Sequence, residues 1–264
     1  MCAAVIKKIS TDDRVRGVTS VDDELFVLLW QRDNNQIRVY SINDYQQRRH
    51  LNVPRYEPDD FSDMTSCVRH KCLYMSDHWN SCIHRYELAS DISKWSVPGT
   101  PHGLSVTPSG NLLVTCDEPN KLVELSVDSG ECVREITLQS DIKCPYHSVQ
   151  LTTGQFVVCH SVSDSDLHRV CVVGDVGKVT RSYGGQRGSH VGQLNVPCHL
   201  AVDKDSQFIF VADHLNGRVV LLSPTLEFVR YIEGLSEPWR LYFHQATRRL
   251  FVGQLSGDVH VIQL

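Results

Sequence analysis

The sequence lacks long apolar segments, and none of its runs approaches the roughly 18–20 residues that a helix needs to span a bilayer. The stretch from residue 1 to residue 9 also lacks the long apolar core of a secretory signal. We therefore expect a cytoplasmic chain that has no membrane partner.

An excess of positive charge is absent as well. The 264 residues carry 26 Lys and Arg against 31 Asp and Glu, which gives a formal net charge of −5. Proteins that bind polyanions through charge are usually basic, so a nucleic-acid partner would require a local basic patch. The overall charge therefore makes nucleic acid an unexpected ligand.

Common catalytic signatures are missing. The sequence has no glycine-rich phosphate loop, no His-Glu-x-x-His and no Gly-x-Ser-x-Gly. Its ten cysteines form no Cys-x-x-Cys pair, and several lie in apolar runs such as residues 156–159 and 170–173. This placement predicts reduced, buried thiols that pack as small apolar residues. A disulfide framework is the alternative, and it would require an oxidising compartment.

No segment keeps a 3.6-residue apolar period over a dozen residues, so long helices are not expected. What the chain has instead is short runs rich in β-branched and apolar residues, such as 112–116 and 208–212. Gly, Asn, Asp and Pro bound these runs. The pattern predicts an all-β protein.

A repeating unit organises these runs. Four short strands joined by tight turns follow Pro101, and the same order returns after Pro145 and after Pro197. Fainter copies begin near Gly17, Asp63 and Arg240. The apolar anchors of the first strands are Val18, Met64, Leu104, Val149, Leu200 and Leu241, spaced 40 to 51 residues apart. Repetition at this period is typical of a β-propeller.

The sixth unit has only three strands, and residues 3–10 form a lone strand that can complete it. Pairing the two termini would close the ring and leave no large open sheet edge. The predicted fold is all-β, a single six-bladed β-propeller of four-stranded antiparallel blades whose last blade is completed by the N-terminal strand. The expected bounds are 3–10 for the closing strand and about 16–54, 62–98, 102–138, 147–183, 199–232 and 240–264 for the blades.

Local motifs resemble those of NHL repeats. Residues 213–219 read Asp-His-Leu-Asn-Gly-Arg-Val, and residues 77–80 and 117–120 look like weaker copies with the same Asp and Asn. Residues 183–197 are similar to the glycine-rich crossing between NHL blades. The Asp and Asn side chains of such units are expected to close the hairpin between the second and third strands.

The resemblance implies a range of functions. NHL propellers form the C-terminal domain of many tripartite-motif ubiquitin ligases, where they look to be platforms for substrate or RNA, and also the body of the peptidylglycine amidating lyase. The fold does not choose between them. No RING, B-box or coiled-coil segment accompanies this propeller, so we expect any role of the first kind to be recognition only.

Residues at the starts of the first strands converge on the central channel of a propeller. We align the residues before the strand openings as Arg16, Ser62, His102, His147, Cys198 and Trp239. The next residues are then Gly17, Asp63, Gly103, Ser148, His199 and Arg240.

This row contains a candidate metal site. The possible ligands are His102, His147, Cys198 and His199, and mixed His and Cys sets bind zinc. The amidating lyase has a related arrangement, in which Pro-His pairs on alternate blades bring three imidazoles to zinc. Pro101-His102 matches that pair, but the alternating blades offer Arg16 and Cys198. We therefore expect no cofactor, and a metal-dependent lyase or hydrolase that uses zinc or calcium is the alternative.

The channel-mouth face is the predicted binding surface. Among the loops expected there, acidic residues outnumber basic ones, with Asp63 and Arg240 counted among them, so an RNA-binding propeller is only a second alternative. Aromatic and Arg side chains commonly anchor interfaces. We expect a monomeric, non-catalytic scaffold that binds a protein or peptide. The predicted contact residues are Trp79, His102, Tyr146, His147, His199, Trp239 and Arg240.

Overall fold

The computed structural model describes residues 3–30, 35–53, 61–88, 92–162 and 167–264. These residues form an all-β ring of six four-stranded antiparallel sheets. One 3-10 turn, at His214–Asn216, interrupts the pattern where only a tight turn was expected. The predicted six-bladed propeller is confirmed.

Strands run in order from the channel outwards in each blade. Blade 1 contains β2 (Arg14–Val21), β3 (Glu24–Trp30), β4 (Gln36–Ser41) and β5 (Gln47–Asn52). Blade 2 contains β6 (Phe61–Cys67), β7 (Cys72–Asp77), β8 (Cys82–Glu87) and β9 (Ile92–Ser96). Blade 3 contains β10 (Pro101–Val106), β11 (Leu112–Asp117), β12 (Asn120–Leu125) and β13 (Cys132–Thr137).

The remaining blades repeat this order. Blade 4 contains β14 (Pro145–Gln150), β15 (Phe156–Ser161), β16 (His168–Val173) and β17 (Val179–Gly184). Blade 5 contains β18 (Pro197–Val202), β19 (Ile209–Asp213), β20 (Arg218–Leu222) and β21 (Phe228–Ile232). Blade 6 contains β22 (Pro238–His244), β23 (Arg249–Gln254) and β24 (Asp258–Gln263).

The N-terminal strand closes the ring. Strand β1 (Ala4–Ser10) pairs antiparallel with β24, from Ala4 opposite Gln263 to Ser10 opposite Asp258. It is the fourth strand of blade 6, as predicted. The pairing covers the edge of β24, which would otherwise present unpaired backbone groups.

The apolar core lies between the blades. Six clusters of buried side chains each join two neighbouring blades, and one of them joins blade 6 to blade 1. In that cluster Phe251 packs with Val15 and Leu25, all with no exposed surface. Burying an apolar side chain of this size contributes about 1.5–3 kcal/mol, so the contacts between blades hold the ring together.

The two ends of the ring differ in the loops they carry. The starts of the first strands, the turns between second and third strands and the crossings between blades all lie at one end, which we call the upper face. The turns between first and second strands and between third and fourth strands lie at the other end, the lower face. Within the described residues, no helix is both long and apolar enough to cross a membrane.

Candidate functional site

The first strand of every blade is bulged close to its start. One residue of each first strand has no partner in the second strand, and a bulge of this kind re-aims the side chains beside it. The bulged residues are Arg16, Ser62, His102, Tyr146, Cys198 and Trp239. The residues that follow them, which we call the axial row, are Gly17, Asp63, Gly103, His147, His199 and Arg240.

Blade 4 departs from the alignment made on the sequence. We aligned His147 with His102, but the structure places Tyr146 at the bulge and His147 in the axial row. Blades 3 to 6 share a proline at the start of the first strand, and Pro101 and Pro145 both pair with a residue near the end of the second strand. Alignment on that proline would have given the correct register.

Asp63 is the centre of a buried network on the propeller axis, with 1% of its surface exposed. Its Oδ1 accepts a hydrogen bond from the Met64 amide at 2.9 Å and lies 3.2 Å from Nε of Arg240. Its Oδ2 accepts from the Leu104 amide at 2.8 Å and lies 3.3 Å from Nε2 of His199. The carboxylate is therefore bound by groups from four blades.

Hydrogen-bond partners fix the tautomers of the two axial histidines. Nδ1 of His199 accepts from the Leu241 amide at 3.3 Å, so in the neutral ring Nε2 carries the proton and donates to Asp63. Nε2 of His147 lies 3.0 Å from the Leu104 carbonyl, which only accepts, so this nitrogen also carries a proton. The two rings stack with their centroids 3.8 Å apart.

Arg240 supplies the positive charge of the network. Its guanidinium donates to the Arg16 carbonyl at 2.9 Å, to the Ser62 carbonyl and to the Trp239 carbonyl at 3.0 Å. The side chain is 3% exposed, so it connects blade 6 to blades 1 and 2 from inside the channel. Nε therefore lies between the Arg16 carbonyl and the carboxylate of Asp63.

The protonation states follow from burial and contact. Burial raises the pKa of Asp63, but His199 and the charge of Arg240 outweigh it and hold this pKa well below its usual range. Burial lowers the pKa of both His147 and His199, against the opposing charge of Asp63. At neutral pH the network therefore contains one carboxylate, one guanidinium and two neutral imidazoles.

Two glycines of the axial row leave space for this network. A Cβ atom on Gly103 would lie 2.4 Å from the Tyr146 carbonyl oxygen and 2.8 Å from Cδ2 of His147. A Cβ atom on Gly17 would lie 2.5 Å from Cβ of Met64. Both distances are well inside van der Waals contact, so a larger residue at either position would displace the strands that carry the network.

Of the four metal candidates, the structure brings two together. The ligand atoms of Asp63, His147 and His199 lie close enough to one another to hold a metal ion. Metal binding would require the Nε2 atoms of both histidines to lose their protons, which would break the hydrogen bonds that Leu104 and Leu241 now make with these rings. The donor set as arranged fits a hydrogen-bonded network better than a metal ion.

The other two metal candidates lie outside that group. The His102 ring packs edge-on against Tyr146, with centroids 5.2 Å apart, and burial lowers its pKa to about 3. Cys198 is buried with Sγ 3.6 Å from the Trp239 carbonyl oxygen, and burial raises its pKa to about 12. A thiol with so high a pKa is a poor nucleophile at neutral pH.

A chain of aromatic rings leads from the upper surface towards the channel. Trp79 is 60% exposed and meets His78 edge-on at 5.3 Å between centroids. His78 meets His102 at 5.9 Å, and His102 meets Tyr146 at 5.2 Å. We call these four side chains the aromatic chain. Residue 78 was not predicted as a contact residue.

The second predicted tryptophan is fixed by other contacts. Trp239 is half-buried, with its ring 4.9 Å from that of His214 and 5.0 Å from the guanidinium carbon of Arg240. His147, His199 and Arg240 are buried, with 2%, 7% and 3% of their surface exposed. Of the predicted contact residues, Trp79, His102, Tyr146 and Trp239 are thus the ones with appreciable exposed surface.

A second buried group with metal-ligand chemistry occurs in blade 2 and was not predicted. Nε2 of His84 lies 2.9 Å from Oδ2 of Asp77 and 3.4 Å from Sγ of Cys82. One imidazole nitrogen faces both groups, so its hydrogen bond to the carboxylate is the stronger contact. Burial raises the pKa of Cys82 to about 11, which keeps it a thiol.

The channel opens into a cavity of about 430 Å³ at the lower end. The C-terminal halves of the first strands line this cavity, and His147 and His199 lie at its inner end, in the axial network. Hydroxyl pairs such as Thr19 with Ser66, 2.7 Å apart, lie on its wall. The axial network therefore separates this cavity from the upper face.

Asp63 was expected among the surface charges, and its central place in the channel was not predicted. A usable signal was present, since Asp63 is the one acid of the axial row and Arg240 is its one base. Opposite charges at equivalent positions of different blades predict a pair across the channel. Trp79, by contrast, is 60% exposed in the turn that follows β7, and its role as a contact residue stays a prediction.

No protein-family model matches the sequence, and no curated protein matches it either. The similarity to NHL repeats therefore stays a prediction. Solved structures do match, beginning with a catalytically inactive variant of virginiamycin B lyase from Staphylococcus aureus, solved with quinupristin. This match has a TM-score of 0.68 and 10% identity, and it covers 99% of each chain.

Two other solved structures match with similar TM-scores and similarly low identity. A streptogramin B lyase matches with a TM-score of 0.66 and 12% identity, covering 100% of this chain and 97% of its own. A protein of unknown function from Bacteroides caccae matches with a TM-score of 0.68 and 14% identity, covering 87% of this chain and 81% of its own. At such identities these similarities show the propeller fold alone.

Proposed function

We propose that the chain is a non-catalytic, NHL-type recognition propeller that binds a protein or peptide through its upper face. The observation that carries this proposal is the aromatic chain, which begins at the 60% exposed Trp79 and is continuous with the channel mouth. An exposed indole held in place by a neighbouring ring is the kind of side chain that anchors interfaces.

The axial network supports this role by closing the upper face from below. Asp63, Arg240, His147 and His199 are engaged with one another and with backbone groups, so a partner would stay above them rather than enter the channel. Among the predicted contacts, Trp79, His102, Tyr146 and Trp239 would then touch the partner. The buried members would hold the strand starts in position.

The protein-binding proposal is favoured over RNA binding by charge. A phosphate backbone needs Lys and Arg on the contact surface. The described upper-face loops and strand ends include the acids Asp12, Asp13, Glu118, Asp141, Glu233, Glu237 and Asp258 and the bases Lys8, Arg14, Arg16, Arg38, Lys143, Arg169 and Arg187. Three of these acids are paired with three of these bases, as Asp13–Arg38, Asp141–Arg169 and Asp258–Lys8, so the face carries no excess of positive charge.

A metal-dependent lyase or hydrolase is the second candidate, because Asp63, His147 and His199 converge and two of the similar structures are lyases. In such an enzyme these three residues would hold the ion, which would act as a Lewis acid. The tautomers set by Leu104 and Leu241 argue against it, since they place protons on the nitrogens that would have to bind.

A peptide selection tests the recognition proposal. Random peptides displayed on phage are selected against the folded protein, and the affinity of each winner is measured for wild type and for Trp79→Ala. Val176→Ala is the control, because Val176 is 77% exposed in a turn of the lower face. We expect Trp79→Ala to weaken binding about tenfold or more and the control to bind like wild type. Absence of binders, or equal affinity for both variants, would contradict the proposal.

A further inference from the structure

Three blades end their second strand with an aspartate, which therefore occupies the same position in each repeat. These residues are Asp77 in blade 2, Asp117 in blade 3 and Asp213 in blade 5. Each stands at the upper face, at the turn into the third strand. What differs between the blades is the group that meets the carboxylate.

In blade 5 a guanidinium from the same blade meets the aspartate. Oδ2 of Asp213 accepts from Nε of Arg218 at 2.8 Å and from the amide of the Asn216 side chain at 2.8 Å. Arg218 is the residue directly opposite Asp213 in the strand pair, and its guanidinium stacks 3.8 Å from the ring centroid of Tyr231. The carboxylate is therefore neutralised within the chain.

Blade 2 meets its aspartate differently. Oδ2 of Asp77 lies 2.9 Å from Nε2 of His84, and both carboxylate oxygens accept from the Asn80 side chain, at 3.0 and 3.1 Å. Here an imidazole and an amide provide the donors. This carboxylate also has its hydrogen bonds supplied from inside the blade.

Blade 3 meets its aspartate with the backbone amides of Asp117 and Glu118 and provides no side-chain donor of this kind. The residue directly opposite Asp117 is Asn120, and Oδ1 of each side chain is buried without a hydrogen-bond partner. The next residue, Lys121, is bound instead by Glu135 at 2.7 Å. Two unpaired acceptor oxygens thus belong to residues that face each other in the strand pair, where blade 5 has a guanidinium, and buried acceptors of this kind cost free energy until a donor reaches them.

The surroundings of Asp117 connect this position to the aromatic chain. Its amide donates to the Thr100 carbonyl at 3.3 Å, and the preceding Cys116 faces Pro101, so Asp117 lies next to the start of the strand that carries His102. The charge of His78 also counters the burial that raises the pKa of Asp117. Nδ1 of His78 is buried without a hydrogen-bond partner too, and its ring lies between those of Trp79 and His102. Asp117 therefore stands beside the surface that we propose as the binding face.

We propose that Asp117 and Asn120 form a subsite for an arginine side chain of the partner, with Trp79 and His78 beside it. This inference rests on the proposed function and specifies the chemistry of its ligand. A guanidinium offers several N–H donors in one plane, which can pair with both oxygens when these partly exposed side chains turn towards it, and its face can lie on an indole ring. The partner would then insert in blade 3 the group that Arg218 provides in blade 5.

The test uses a small probe and does not depend on knowing the partner. Nα-acetyl-arginine N-methylamide is titrated into the protein while the Trp79 indole and the histidine rings are followed by NMR. The citrulline analogue, which has the same shape without the charge, is the matched ligand control. Asp117→Asn is compared with Asp205→Asn, whose carboxylate is 81% exposed on the lower face.

We expect the arginine probe to shift the resonances of Trp79 and His78 and the citrulline probe to leave them unchanged. Asp117→Asn should weaken binding of the probe about tenfold, and Asp205→Asn should bind it like wild type. Shifts that are equal for both probes, or that persist in Asp117→Asn, would overturn the subsite. So would shifts produced by calcium chloride and not by the arginine probe, which would assign these oxygens to a metal ion.

The peptide selection separates failure of the subsite from failure of the proposed function. Selected peptides that need Trp79 but contain no arginine, or that bind Asp117→Asn normally, would remove the subsite and leave the recognition face intact. Peptides insensitive to Trp79→Ala would remove both. Peptides that share an arginine and lose affinity in Asp117→Asn would support both.

Discussion

Asp63 of blade 2 and Arg240 of blade 6 form an ion pair across the propeller axis, with Nε of the arginine 3.2 Å from Oδ1 of the aspartate. The two residues occupy equivalent positions after the bulge in their first strands. Both are buried, and the same guanidinium binds carbonyls of blades 1 and 2. The pair thus joins non-adjacent blades and complements the strand pairing that closes the ring.

Removing one partner of this pair should be strongly destabilising. Asp63→Ala leaves the Arg240 guanidinium buried without its counter-charge, and we expect the free energy of unfolding in urea to fall by about 3–5 kcal/mol. The double variant Asp63→Ala, Arg240→Met should lose less than the sum of the two single changes, since it removes both charges. Lys71→Met is the control, because its pair with Asp22 is about half exposed and should change stability by less than about 1 kcal/mol. Equal losses for Asp63→Ala and Lys71→Met would show that the axial pair has no special role.

Stability should fall as the pH decreases below the ordinary range of histidine. Burial lowers the pKa of His102 to about 3, so the unfolded chain takes up a proton below about pH 6.5 while the folded chain does not. Between pH 6.5 and pH 5 this one residue should cost up to about 2 kcal/mol of stability, and above pH 7 it should have no effect. The buried His147 and His199 act in the same direction.

Thermal unfolding of wild type and His102→Gln at pH 7.5, 6.5, 5.5 and 5.0 checks this effect. The midpoint of the variant should decrease less steeply with falling pH. Parallel curves for the two proteins would show that protonation of His102 is not linked to unfolding.

Cysteine labelling should distinguish surface thiols from core thiols. The nine cysteines among the described residues are free, and seven of them are buried. Iodoacetamide at pH 8 should modify Cys132 and Cys144 in the folded protein within minutes and leave Cys159 and Cys198 unmodified until the chain unfolds. Peptide mass spectrometry reads out each site. Rapid labelling of Cys198 in folded protein would contradict its place beneath the strand starts.

Metal content separates the recognition propeller from the enzyme alternative. After dialysis against zinc or calcium and removal of excess ion, we expect well below one equivalent of either metal per chain, because both axial imidazoles are held with a proton on Nε2. Elemental analysis of wild type and of the double variant His147→Ala, His199→Ala gives the answer. One equivalent that is lost in the variant would make the metal-dependent enzyme the leading function.

The fold could be predicted from the sequence because apolar residues recur at the positions that are buried between blades. The anchors Leu104, Leu200 and Leu241 are buried at equivalent places in the first strands, and the expected pairing of residues 3–10 with the last blade is present. Apolar residues in strands must alternate with the geometry of the sheet, so their spacing reports blade positions directly.

The site was harder to predict because a single-residue bulge decides which side chain faces the axis. In blade 4 a shift of one residue exchanges Tyr146 for His147, and the alignment on the sequence placed His147 at the position that Tyr146 occupies. Whether a polar atom has a partner is also a three-dimensional property. Asp117 and Asp213 look alike in the repeat, yet only Asp213 has an arginine opposite it.

Hydrogen–deuterium exchange with a selected peptide tests directly whether the upper face binds the partner. We expect slower exchange in the upper-face segments around residues 77–82 and 97–102 when the peptide is bound, with no change in the lower-face turns around residues 68–71 and 107–111. Protection confined to the lower-face turns would show that the upper face is not the binding surface and would move the site to the cavity at the opposite end of the channel.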